Sequence, residues 1–150
     1  MNISNSFHIS ASGLTAQRLR MDVISSNIAN AETTRSQFVD GKFVPYRRQT
    51  VVMSESKGSF QDTLQQAMGA GSNPKGVKVA KIKEDQSPFK LVYQPTHPDA
   101  DENGYVQMPN VDMAKEQIDF IVASRSYEAN VTALNASKAM IMKALEIGKG

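Results

Sequence analysis

The side chains able to do chemistry are few and scattered. His8 and His97 are the only histidines, and they fall in different parts of the 150-residue chain. No serine and aspartate are placed with either so as to argue a nucleophile–base–acid set. The run "SESK" at 54–57 matches S-x-x-K, the spacing by which Lys57 could activate Ser54. Its companion elements S-D-N and K-T-G are missing, so the match is read as chance. The run "DADENGYVQ" sets Asp99, Asp101, Asn103 and Gly104 at the opening positions of a calcium-binding loop. The twelfth position, where a glutamate would bind the ion through two oxygens, is Asn110. Pro98 and Pro109 stand where flanking helices belong. The stretch is read instead as a polar turn feeding a strand from Tyr105. No catalytic residue, metal or cofactor is expected.

Other charged or modifiable groups have plain readings. Lys75, Lys78, Lys81 and Lys83 could face an acidic partner, but lysines so spaced commonly cover the solvent side of an edge strand. Asn130-Val131-Thr132 and Asn135-Ala136-Ser137 match glycosylation acceptors but fall inside a predicted packed helix. There is no cysteine, which excludes disulfides, thiolate metal sites and a cysteine nucleophile. Basic and acidic residues are nearly balanced, 17 against 15, without the basic excess of a nucleic-acid protein. No apolar run is long enough to span a membrane. The N-terminus has no basic region followed by an apolar one, and Arg18 is the first arginine or lysine, so a cleaved secretory signal is not expected.

The elements carry more information than the reactive groups. Phe7, Leu14, Met21 and Ile28 lie seven residues apart, with Ile3 and Ile24 on an adjoining row. That spacing predicts a helix packing against another helix along its length. Ser4 or Asn5 can cap its start, and Asn30 with Thr33 and Thr34 can end it. Met113, Phe120, Tyr127, Leu134 and Ile141 repeat the spacing near the C-terminus. Ala123, Asn130, Ser137 and Ala144 keep the adjoining row small, Asp112 is a natural N-cap, and Gly148 is a natural stop. Between these helices, 38–53 reads as β-structure around Asp40-Gly41, a hairpin signal. Three more short strands are read in "GVKVAKIKED", "FKLVYQP" and "GYVQMPN". Residues 54–70 are polar and predict a short helix or a mobile segment, with 71–76 a turn or flexible loop.

The fold class is therefore mainly α with a small β insert: long terminal helices packed as a coiled-coil-like pair around a β-rich middle. The organisation is 1–31, an N-terminal helix; 32–110, the insert, flexible near 54–76; and 111–150, a C-terminal helix. The alanine-, serine- and asparagine-rich flanks suit close packing, and such helices gain most when neighbouring chains cover their remaining faces.

Three stretches carry a family resemblance. "SGLTAQRLRMDVISSNIANAETT" at 12–34 resembles the N-terminal signature of the bacterial flagellar rod and hook family of axial proteins. The run from Ser87, "SPFKLVYQPTHPDADENGYVQMPNVD", is similar to the segment typical of its proximal rod members, and "ASRSYEANVTALNASKAM" at 123–140 to the family's C-terminal helix. Asp112 and Glu128 stand where the family commonly has asparagine and glutamine. The resemblance implies no enzyme but a subunit stacking into a helical tube in the flagellar basal body. Its partners would be copies of itself, other rod proteins, the type III export apparatus and the junction with the membrane ring, with no nucleic acid and no membrane insertion. Phe7, Leu14, Met21, Ile28, Met113, Phe120, Tyr127, Leu134 and Ile141 become the expected assembly contacts. The alternative is a cytosolic coiled-coil adaptor or export chaperone, which would also show such rows without an active site.

Overall fold

The computed structural model describes residues 3–39, 41–56, 64, 68 and 75–148. Helix α1 spans Ile3–Ala29. It starts ahead of Ser4 and Asn5, which lie within the helix rather than capping it. Its end is the expected one. The Asn30 backbone N–H and side-chain Nδ2 both donate to the Ser26 carbonyl, at 3.1 and 2.9 Å, and Thr33 Oγ1 donates to Asn30 Oδ1 at 3.2 Å. These bonds satisfy groups that a helix end leaves without partners.

The middle of the chain forms three two-stranded ribbons. Strands β1 (Gln37–Val39) and β2 (Lys42–Val44) make the expected hairpin, with Phe38 opposite Phe43. Gly41 carries the turn at φ 79°, a conformation that costs glycine little. Strands β3 (Gln49–Glu55) and β4 (Val77–Glu84) pair with each other. Strands β5 (Lys90–Tyr93) and β6 (Tyr105–Met108) pair antiparallel, with Tyr93 set edge-on to Tyr105. Helix α2 spans Met113–Ile147. Asp112 caps it as its sequence position predicts, Oδ1 accepting from the backbone N–H of Ala114 at 3.1 Å and of Lys115 at 3.3 Å. The helix stops at Gly148. The segment 54–76 falls largely outside the described residues, as does Lys57 of the S-x-x-K match.

The chain divides into two compact units. Unit 1 comprises 1–19, 52–81 and 123–150; unit 2 comprises 20–51 and 82–122. Their interiors differ in kind. The buried side chains of unit 1, among the described residues, are Ser10, Ala16, Ala123 and Ser137, all small. Unit 2 buries Val23, Ile24, Tyr46, Val106 and Val111 together with the polar Asn27 and Glu116. No helix among the described residues is long and apolar enough to cross a membrane.

Candidate assembly interface

Within each unit the two helices meet antiparallel through small and polar residues, spaced seven apart on both helices in unit 1. In unit 1, Ser6 Oγ lies 3.4 Å from Ser137 Oγ. One heptad on, Gly13 faces Asn130 so closely that a Cβ at 13 would sit 2.9 Å from Asn130 Oδ1. Asn130 is itself held by its Nδ2 bond to the Ser126 carbonyl at 2.8 Å. In unit 2, Asn27 Nδ2 donates to Glu116 Oε2 at 2.9 Å, and Arg20 pairs with Asp119 at 3.6 Å. In unit 1 seven residues forward on α1 is thus answered by seven back on α2, because two helical turns return a side chain to nearly the same face.

The Asn27–Glu116 contact anchors a buried polar cluster. Glu116 is fully buried, and its Oε1 accepts from Arg48 Nε at 2.6 Å. Arg48 also reaches Asp119 at 3.5 Å and Asp85 at 3.7 Å. Asn27 Oδ1 accepts from Tyr46 Oη at 3.0 Å and from the Gln49 backbone N–H at 2.9 Å, while Nδ2 also donates to the Gln49 carbonyl at 2.8 Å. Every polar atom of the Asn27 side chain is therefore engaged, as burial requires. The cluster ties the end of α1, the start of β3 and the start of α2. Sequence reading missed it, because its members stand 21 and 68 residues apart and none repeats. The available signal was a glutamate on an otherwise small-residue row of α2.

The nine residues of the two large rows sit differently. Phe7, Met113 and Phe120 are exposed, at 38, 40 and 36%. Leu14, Met21, Ile28, Tyr127, Leu134 and Ile141 are half-buried. None is in the buried core; the row that meets the other helix is the small one beside them, Glu116, Ala123, Asn130 and Ser137. Further apolar side chains on α2 lie open to solvent: Ile118, Ile121, Val122, Met140, Leu145 and Ile147. Helix α2 is apolar on more than one face, and α1 covers only one. A helix apolar all round is ordinarily a buried one.

The loop resembling a calcium site spends its carboxylates on its own structure. Asp101 Oδ1 accepts from the backbone N–H groups of Asn103 and Tyr105, at 3.0 and 2.8 Å, and Gly104 turns the chain at φ 79°. Asp99 accepts from Arg35 Nε at 2.7 Å and Thr34 Oγ1 at 2.8 Å. The Arg35 bond foremost, then Thr34, holds the Asp99 carboxyl below the usual carboxylate range, and Asp99 in turn raises the Arg35 guanidinium. Asn110, at the twelfth position, accepts from the Arg48 backbone N–H and donates to the Asp85 and Ser87 carbonyls. His97 Nδ1 accepts from the Asp99 backbone N–H at 3.1 Å, and His8 is exposed. Among the described residues no group of three or more histidines or acids could hold a metal ion. Lys78, Lys81 and Lys83 lie exposed along β4, and Lys75 is half-buried just before it.

Comparison with known proteins places this arrangement. Residues 7–35 match the family described as flagella basal body rod protein, and 102–147 match the flagellar basal body rod FlgEFG protein C-terminal family. The chain is 57% identical over 150 residues to the flagellar basal-body rod protein FlgC of Bacillus subtilis, covering 99% of this chain and all of that one. It is 46% identical to FlgC of Borreliella burgdorferi over the full length of both, and 44% identical to FlgC of Salmonella typhimurium over 99% of this chain and all of that one. With helices at both ends, a ribbon-built middle and full-length identity of this order, the chain belongs to the FlgC family of flagellar basal-body rod proteins.

Proposed function

We propose that this chain is a non-enzymatic structural subunit of the flagellar proximal rod. With copies of itself and other rod proteins it builds a helical tube that transmits torque from motor to hook and lets export substrates pass. The observation that carries this reading is the uncovered apolar surface of α2 in a chain of this family. Ile118, Ile121 and Val122 in unit 2, and Met140, Leu145 and Ile147 in unit 1, are large apolar side chains open to solvent, and exposed apolar surface of this kind marks an interaction face. Repeated head-to-tail contacts that do not close on themselves generate an open helical filament, the symmetry a shaft requires.

In this reading 1–31 and 111–150 form the axial core, and 32–110 faces outward or bridges to neighbours. Phe7, Leu14, Met21, Ile28, Met113, Phe120, Tyr127, Leu134 and Ile141 pack in coiled-coil-like fashion against the helices of neighbouring subunits, while the small rows beside them make the approach within the subunit. The terminal segments gain order on joining the rod, because their apolar faces find cover only there. An incompletely folded chain also suits passage through the narrow flagellar type III export channel.

The test is a charge on a packing row. Leu134→Asp should abolish rod assembly and swimming while β5 and β6 keep their fold. Basal bodies isolated from cells carrying only the variant should lack the rod by electron microscopy. Normal rods would overturn the packing role given to that row.

A further inference from the structure

The two units hold their stretches of α1 and α2 by different means. In unit 2 the segments 20–29 and 113–122 are tied by charge-assisted bonds to a fully buried carboxylate. Asn27 Nδ2 and Arg48 Nε donate to its two oxygens at 2.9 and 2.6 Å, and Arg20 pairs with Asp119 two turns back on α1 and one turn on along α2. Bonds to charged groups away from water are the strong ones. Val23 and Ile24 are buried beside them in the same unit. In unit 1 the segments 3–19 and 123–147 meet through a 3.4 Å serine–serine contact and a glycine against Asn130. The fully buried side chains there are small, and the large apolar ones, Leu14, Tyr127, Leu134 and Ile141, are only half-buried, so each keeps part of its apolar area in water. The last two turns of α2 expose Met140, Met142, Leu145 and Ile147.

We propose that the Asn27–Arg48–Glu116 cluster is a preformed clamp that keeps 20–29 and 113–122 helical in the free chain and fixes where folding on assembly begins. The outer segments, 3–19 and 123–147, then order only on a neighbour, which rests on the assembly-coupled folding proposed above. The clamp gives the subunit a folded middle with both helices already started and antiparallel. Arg48 immediately precedes β3, whose first residue Gln49 bonds Asn27, so the same cluster fixes where β3 leaves α1. Removing Glu116 takes from Arg48 its shortest ion pair and from Asn27 its bond to α2, leaving Arg48 the longer contacts to Asp119 and Asp85 and Asn27 the Gln49 carbonyl.

The experiment is hydrogen exchange on the full-length free chain at micromolar concentration. Amides in 20–29 and 113–122 should be protected at least about tenfold over those in 3–19 and 123–147. Glu116→Ala should erase that difference. The milder Glu116→Gln, which keeps shape and one acceptor, should lower protection of the helix segments about threefold or more while leaving β5 and β6 unchanged. Equal loss in β5 and β6, or no loss with either variant, would overturn the clamp. Absence of protection in both helices of the parent chain would also overturn it, yet leave assembly-coupled folding standing. Equal protection along both helices would overturn assembly-coupled folding itself, and the boundary with it.

Discussion

Glu116 shows how much one side chain can hold. A buried carboxylate is costly unless its oxygens are engaged, and here Asn27 and Arg48 engage both. Breaking such a pair from one side costs about 3–5 kcal/mol when the remaining charge is left buried, and Arg48 would keep only its longer contacts to Asp119 and Asp85. Glu116→Ala should therefore lower the opening free energy of 20–29 and 113–122 by about that amount in native-state hydrogen exchange, with β5 and β6 spared. The exposed Arg35–Asp99 pair works at the other extreme and is read through pH. The Asp99 carboxyl titrates lower in the folded chain than in the unfolded one. Its contribution is thus fully present above the unfolded value of about 3.9, and is lost as pH falls through the lower folded value. The melting-temperature gap between the parent and Asp99→Asn should be present at pH 6 and close on acidification below about pH 4.

At the scale of elements, the helix pair depends on a close approach. Asn130 Oδ1 lies where a Cβ at position 13 would press, and the Asn130 amide is tethered to the Ser126 carbonyl. Gly13→Val should reduce swimming by forcing the helices of unit 1 apart, and Asn130→Ala in the same chain should restore much of it. Soft-agar motility of the single and double variants checks this, and an unrescued double variant would contradict the packing. Much at this scale was legible in the sequence. The seven-residue rows located both helices, Asp112 fixed the start of α2, and Asp40-Gly41 marked the hairpin. The rows could not say which one meets the other helix. Phe120, Tyr127 and Leu134 carry the strong apolar signal, yet Ala123, Asn130 and Ser137 make the intrachain approach, since small residues let backbones come near. Large apolar rows have the same spacing whether their cover comes from the same chain or another. The Asn27–Arg48–Glu116 cluster left no trace of that kind, because it depends on three elements meeting, not on a period along one.

For the molecule as a whole, the balance between cover within the chain and cover from neighbours decides what the protein does. Unit 2 has a mixed apolar and polar interior of its own, while unit 1 buries small side chains and leaves large ones outside. A charged residue at Leu134 should accordingly stop assembly and spare the fold of 82–112, separable by electron microscopy of basal bodies and circular dichroism of the purified chain. The same variant in an adaptor or chaperone built on a stable helical dimer would instead melt the soluble protein.

The spacing of the matched helix positions has an arithmetic consequence for length. Ser6 with Ser137, Gly13 with Asn130 and Asn27 with Glu116 are separated by whole multiples of seven on both helices. Excising 7–13 together with 130–136 would leave Ser6 opposite Ser137 and Asn27 opposite Glu116, shortening both arms by two turns, about 10 Å. Removing either heptad alone would put every outer pair out of step. The doubly shortened chain should keep hydrogen-exchange protection at 20–29 and 113–122 equal to the parent's. The subunit's arms can therefore change length only in tandem and in fixed increments, like a ladder cut between rungs.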